Sequence, residues 1–332
     1  MSVLNLKHNL FVIILFTMFV LMMNTCNVFI QWVIMEFSTI ISISLINIKS
    51  PNKIPSLIYY MISVISSVFL FLFIIMYFSS LEFTKSDQFN FLIQILFYLK
   101  IGMFPFHYWM IFSYEMMNWK QIFLMSTLIK FIPIYMFVSL TYINLFTLSF
   151  LTLGNVYIAF YTNKFYSLKK LLACSTIFNS MYFILLLNLS KPMFITMIIV
   201  YSINYLLMIG FLNESNIHNL NINFINKYQM YAFIILMLSY SMYPIMLTFV
   251  IKWNLIYMMI SVKAYNWIMF FMMVSSTLMT WNYMTMLKSI FMKMKYYKNE
   301  FNGNMKYYYF SLFTLTLLTT NVTMFVLLNF FF

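Results

Sequence analysis

The fold class this sequence predicts is an all-α integral membrane protein with eleven transmembrane helices, and three observations predict it. Charge is scarce: the 332 residues are 64% hydrophobic and 22% aromatic but 8% charged, where a soluble domain carries about 25% charged residues to solvate its surface. The apolar residues come in continuous runs of roughly 20, the length that crosses a bilayer core. The 19 lysines, with no arginine beside them, punctuate those runs and gather on alternate sides, as the positive-inside bias demands. A soluble globular domain, a disordered chain and a disulfide-stapled module are excluded. A transmembrane barrel is excluded too, because the runs show no ten-residue alternation.

In chain order, the first run, 9–23, follows MSVLNLKHNL. It is read as a retained helix, since a transit peptide would be Arg-rich and amphipathic. The second, 25–46, begins after Asn24 and ends before Lys49 and Lys53; the third is 56–79, and Lys85 lies before the fourth, 88–112. Runs at 119–140, 141–161 and 168–188 follow, separated by short polar joints with Lys164, Lys169 and Lys170 at the last. Lys191 introduces 193–212, and a polar stretch (213–228) precedes 229–262, which is too long for one straight crossing. After Lys263 come 264–287, a second polar stretch (288–307) with five lysines, and a terminal run, 308–331. The whole is read as one polytopic domain over 1–332, with a first repeat over about 9–140, a second over about 141–287 and the terminal helix.

If each run crosses once, the N-terminal side holds Lys7, Lys49, Lys53, Lys120, Lys164, Lys169, Lys170, Lys227, Lys288, Lys293, Lys295, Lys298 and Lys306. The other side holds Lys85, Lys191 and Lys263. A helix missed or invented in mid-chain scrambles that asymmetry. The net charge of +13 is therefore topology and not a nucleic-acid footprint, which needs basic residues clustered on one soluble face. The lysine-rich 288–307 stretch suits either a solvated loop or an interfacial helix on anionic lipid, cardiolipin among them. Phe, Met, Tyr, Asn and Lys are over-used while Ala, Gly, Pro and Arg are nearly absent. These are the A/T-rich and G/C-rich codon sets, and with the Met excess they point to an animal mitochondrial genome. The inner mitochondrial membrane is the expected location, with the N-terminus in the matrix and the C-terminus in the intermembrane space.

Four charges remain inside apolar runs: Glu36, Lys100, Lys130 and Lys252. Each costs about 2.5–3.5 kcal/mol at bilayer depth unless paired or hydrated, and such residues commonly mark ion or proton paths. A Glu/Lys pair of variable separation can take up and release a proton; a static ion pair that holds helices together is the alternative. Two of these runs carry helix breakers. Gly102 and Pro105 follow Lys100 in KIGMFPFHYW, and Pro244 precedes Lys252 in SYSMYPIMLTFVIKW. Proline opens a helix, and opened backbone inside a bilayer needs protein or a water-filled cavity to satisfy it. Breaks in the fourth and ninth runs suit two inverted five-helix repeats. His107, beside the first break, is a secondary candidate, as proton relay or as bonded structural residue. Two cysteines, Cys26 and Cys174, and three histidines supply no haem, iron–sulfur or zinc set. Both cysteines are read as packing residues. No cofactor or metal site is expected in this chain.

WVIMEFSTI around Glu36, LKIGMFPFHYW around Lys100, LIKFIP around Lys130, SLKKLLACSTIFNSM at 167–181 and VIKW at Lys252 carry a resemblance in order and spacing along nearly the whole chain. The sequence resembles the NADH dehydrogenase subunit 2 family, antiporter-like membrane subunits of mitochondrial respiratory complex I. The resemblance implies a proton-translocating module of the enzyme that oxidises NADH and reduces ubiquinone. Flavin, iron–sulfur clusters and the quinone site then lie in other subunits, which are its expected partners. It makes Glu36 and Lys100 the coupling pair of a first half-channel, Lys130 a central relay and Lys252 the residue of a second. Two departures stand out: SYSMYP keeps one proline and no glycine, and Asn179 stands where the family commonly has a histidine. A stand-alone cation/proton transporter of the same fold and a scaffold that pumps nothing are the competing expectations.

Overall fold

The computed structural model describes residues 2–48, 52–79, 87–165, 167–214, 227–240, 246–260 and 266–294. Pro244, the terminal run 308–331 and most of both long polar stretches lie outside them. Among the described residues the chain is helical, with no strand. In order the helices are α1 Ser2–Asn24, α2 Val28–Asn47, α3 Ile54–Ser79, α4 Asp87–Ile101, α5 Tyr108–Met116, α6 Trp119–Ser126 and α7 Leu128–Leu140. They continue as α8 Leu145–Tyr161, α9 Leu168–Leu189, α10 Lys191–Glu214, α11 Lys227–Tyr240, α12 Leu247–Ile260 and α13 Asn266–Met294. Six stretches, Val28–Asn47, Ile54–Met76, Trp119–Leu140, Leu145–Lys164, Leu168–Leu189 and Lys191–Asn213, are long and apolar enough to cross a bilayer.

Among the described residues the apolar runs thus become helices, and the runs at 88–112 and 229–262 each hold two. The run at 119–140 is also interrupted, which its apolar pattern hides. At Thr127 the backbone leaves helical geometry (φ −113°, ψ −99°), and both its N–H and its hydroxyl bond the Phe123 carbonyl. The helix restarts at once, with Lys130 in the first turn of α7.

The chain folds as two compact units. The first comprises Met1–Gly154 and Leu172–Asn188; the second comprises Asn155–Leu171 and Leu189–Phe332. In the first unit α2 packs against α1, α3 and α7, while α4 packs against α3 and α7. Several polar side chains of α2 are satisfied locally. Ser38, Thr39, Ser42 and Ser44 of α2 each donate to a carbonyl three residues back, so their hydroxyls need no outside partner. Asn27 caps α2 by accepting the Phe29 N–H at 3.0 Å. Gln31 then ties the helix to two neighbours, donating to the Thr25 carbonyl and accepting from Ser139. Within α9 every residue from 171 to 187 is buried, as expected of a helix apolar on all sides.

In the second unit α10 packs against α11 and α12, and α13 against both of those. Tyr201 and Tyr205 of α10, Tyr240 of α11 and Tyr283 of α13 are buried in mutual ring contact, with the Tyr201 and Tyr240 hydroxyls 3.3 Å apart. Asn282 of α13 donates to the Ala159 carbonyl at 2.8 Å and to the Thr162 hydroxyl. Cys174 is buried, as packing requires, but Cys26 is exposed in the α1–α2 joint. The packing role read for both cysteines therefore holds for Cys174 alone, because a three-residue connector offers Cys26 no core to enter.

Candidate functional site

Glu36 lies midway along α2 and Lys100 in the last turn of α4, and the structure brings them together. The Lys100 ammonium donates to Glu36 Oε1 at 2.8 Å. The two ends of the pair differ: the lysine side chain is 1% exposed and the glutamate side chain 24%. A charge-assisted bond of this length is strong, and it offsets the cost of removing an ammonium from water.

The break just beyond Lys100 is built from its own sequence. Gly102 has φ 75°, a left-handed conformation that a Cβ disfavours. The N–H groups of Gly102 and Met103 both bond the Tyr98 carbonyl, at 3.0 and 2.9 Å. The second bond is the six-residue closure of a glycine helix stop. The next carbonyl, Leu99, accepts the Trp109 indole N–H at 3.2 Å. A Cβ on Gly102 would stand 3.0 Å from the Trp109 ring, so the glycine supplies both the turn and the space for that indole. Pro105 and His107 complete the loop. His107 is buried and its Nδ1 donates to the Pro105 carbonyl at 3.1 Å, bracing the turn from within. Phe104 anchors the loop on α8, where a Cβ on Gly154 would lie 2.8 Å from the Phe104 Cβ.

Lys130 belongs to the same unit and is buried, and its ammonium donates to a main-chain acceptor, the Thr176 carbonyl of α9, at 2.8 Å. Among the described residues no carboxylate pairs with it. The Thr176 hydroxyl serves the Ala173 carbonyl and lies 3.4 Å from the Tyr114 hydroxyl. Asn179 is buried three residues further along α9. Lys252 belongs to the second unit, buried within α12. One turn before it Thr248 donates its hydroxyl to the Ser239 carbonyl in the last turn of α11, at 3.1 Å. That bond reaches across the interruption between the two half-helices, and Thr248 and Lys252, four residues apart, share one face of α12.

Sequence reasoning missed the Thr127 interruption, the Thr176 carbonyl, the Thr248 bond and Gly154. Gly154 left a signal, because glycine occurs four times in the whole chain. A backbone acceptor leaves none. Among the described residues no cluster of three or more His, Cys, Asp or Glu side chains could hold a metal ion.

No family model matches the chain. Solved structures share its fold. A chain of respiratory complex I from Thermus thermophilus superposes with a TM-score of 0.73 at 17% identity, covering 95% of this chain and 78% of that one. A chain of the archaeal membrane-bound sulfane sulfur reductase gives 0.65 at 14% identity, covering 95% and 74%. A chain of the Mrp complex from Dietzia sp. DQ12-45-1b gives 0.64 at 15%, covering 79% and 56%. With the long apolar helices, these likenesses define the class by fold: a polytopic, all-helical membrane protein with interrupted helices. The particular family follows from sequence. The chain is 66% identical over 332 residues to NADH-ubiquinone oxidoreductase chain 2 of Apis mellifera ligustica, covering 99% of this chain and all of that one. It belongs to the NADH-ubiquinone oxidoreductase chain 2 family.

Proposed function

We propose that this chain is a proton-translocating module of the NADH–ubiquinone oxidoreductase of the inner mitochondrial membrane, working among the other subunits of that complex. The observation that carries the proposal is the Glu36–Lys100 pair, an almost fully buried ammonium on the last turn of an interrupted helix. Placing such a group in a bilayer costs several kcal/mol, and a helix stop beside it gives the backbone freedom to change its distance from Glu36. In this reading, redox chemistry in other subunits perturbs the pair. Separation from Glu36 leaves Lys100 a cation without its counter-ion, which favours proton release. Lys130, whose ammonium has three donors and one carbonyl partner, is suited to receive and pass on a proton. Lys252 plays the corresponding part in the second unit. The lysine asymmetry between the two sides of the helices supports an N-terminus in the matrix and a C-terminus in the intermembrane space. Flavin, iron–sulfur clusters and the quinone site are assigned to other subunits.

The test is Lys100→Met in the assembled complex, measured as protons translocated per NADH oxidised. Loss of proton yield with the complex intact supports the reading, and an unaltered yield overturns it. A scaffold reading predicts the reverse pattern, impaired assembly with unchanged yield per complex. A stand-alone transporter predicts cation or proton flux by the isolated chain in vesicles.

A further inference from the structure

One stripe of α4 is polar along its length. Asp87, Asn90, Gln94 and Tyr98 are spaced three or four residues apart, so at about 100° per residue they stay on one face of the helix. The stripe begins at an exposed carboxylate and runs inward for about 16 Å at 1.5 Å per residue, ending one turn short of the Gly102 break. Its outer part clamps the α7–α8 joint. Asn144 donates to Asp87, Asn90 exchanges two bonds with the Tyr142 backbone, and the Gln94 amide N–H donates to the Tyr142 carbonyl at 3.0 Å. The inner part is not explained by that clamp. Gln94 is 0% exposed and Tyr98 1%, yet Gln94 Oε1 and the Tyr98 hydroxyl meet no hydrogen-bond partner among the described residues. Buried polar atoms are rarely left so, and ordered water is the usual partner when protein supplies none. Four residues apart on a helix, the two groups are neighbours that one or two waters can bridge. Beyond Tyr98, ring contacts through Phe150 lead to Phe104 in the break loop and on to His107.

We propose that Asp87, Asn90, Gln94 and Tyr98 form a hydrated proton-access column from the membrane face that carries Asp87 to the interrupted segment beside Lys100. The column rests on the proton-translocating reading above and adds to it an exit on the Lys85 side, opposite the matrix, and two residues, Gln94 and Tyr98, that hold water in place. Asp87 places its exposed carboxyl group at the mouth. The carboxamide oxygen accepts from water and the phenol both accepts and donates, so a proton can pass along the chain of bonds without any group inside it being ionised.

The test is side-chain accessibility in the assembled complex in membrane vesicles. Cys26→Ser and Cys174→Ser give the background, on which Q94C, Y98C and L96C are made singly. Leu96 lies on the opposite face of α4. A small, charged methanethiosulfonate reagent reacts only where water reaches the thiol, so Q94C and Y98C should react at least about tenfold faster than L96C. Rates for Q94C and Y98C equal to that of L96C overturn the column, whatever Lys100→Met does to the proton yield. Y98F keeps the ring packing if Y98C fails to assemble. It should lower proton yield at unchanged complex abundance, and a normal yield in Y98F overturns the role of Tyr98. Reactive thiols combined with a normal proton yield in Lys100→Met would leave the wet column standing and remove the pumping reading.

Discussion

Neutralising the two ends of the Glu36–Lys100 pair should have unequal consequences, and the inequality can be worked from exposure. In Glu36→Gln the Lys100 ammonium, 1% exposed, loses its counter-ion while staying buried. Removing one partner of a buried pair costs about 3–5 kcal/mol, and this variant belongs at that end. In Lys100→Met the remaining carboxylate is the more exposed end of the pair, at 24%, and less of it has to be satisfied inside the protein, so the loss should be nearer about 1–3 kcal/mol, the range for a polar group left partly unsatisfied. In the double variant both charges are gone, and with a coupling of about 3 kcal/mol the cost should fall below that of Glu36→Gln alone while staying above that of Lys100→Met. The assay is abundance of the assembled complex on native gels, with its rate of thermal inactivation as a second measure. The expected order of stability is Lys100→Met, then the double variant, then Glu36→Gln. Proton yield should stay low in all three. A double variant no more stable than Glu36→Gln would refute the argument that the buried ammonium sets the cost, and one that pumps normally would refute the role of the pair.

Lys130→Met should leave complex abundance nearly unchanged, because the Thr176 carbonyl stays in the α9 ladder, and should lower proton yield; a drop in abundance matching that of Glu36→Gln would contradict this. Gly102→Ala should cost about 1–2 kcal/mol for the left-handed backbone alone, with more from the contact with Trp109, and reduced complex on native gels is the check. Gly154→Ala should cost about 1–3 kcal/mol by overpacking. Phe104→Ala should not rescue it, since the clash is with the Phe104 Cβ that alanine retains. Thr248→Val, which removes the bond to the Ser239 carbonyl, should cost about 1 kcal/mol, read as faster thermal inactivation of the complex.

The apolar runs were legible because a bilayer permits few alternatives to a continuous helix, and Glu36, Lys100, Lys130 and Lys252 stood out because charge inside such a run is costly. The break after Lys100 was legible for a local reason, as glycine and proline within four residues cannot continue a helix. Thr127 was opaque because threonine is compatible with helix and its back-bond to the Phe123 carbonyl is of a kind that unbroken helices such as α2 also carry. The partners of the buried lysines divide the same way. A carboxylate such as Glu36 announces itself in a sequence by its charge, whereas the acceptor for Lys130 is main chain and belongs to every residue alike. Gln94 and Tyr98 were hidden among apolar neighbours, since a single amide or phenol costs a membrane helix far less than a charge.

That Lys130 is held by a peptide oxygen has a consequence for genetics. No codon change at Thr176 deletes this acceptor, so a scan of substitutions along α9 will pass over the anchor without registering it. Only variants that shift the axis of α9, or that alter Lys130 itself, can reveal the link, and a survey that equates tolerance at position 176 with irrelevance will misjudge it.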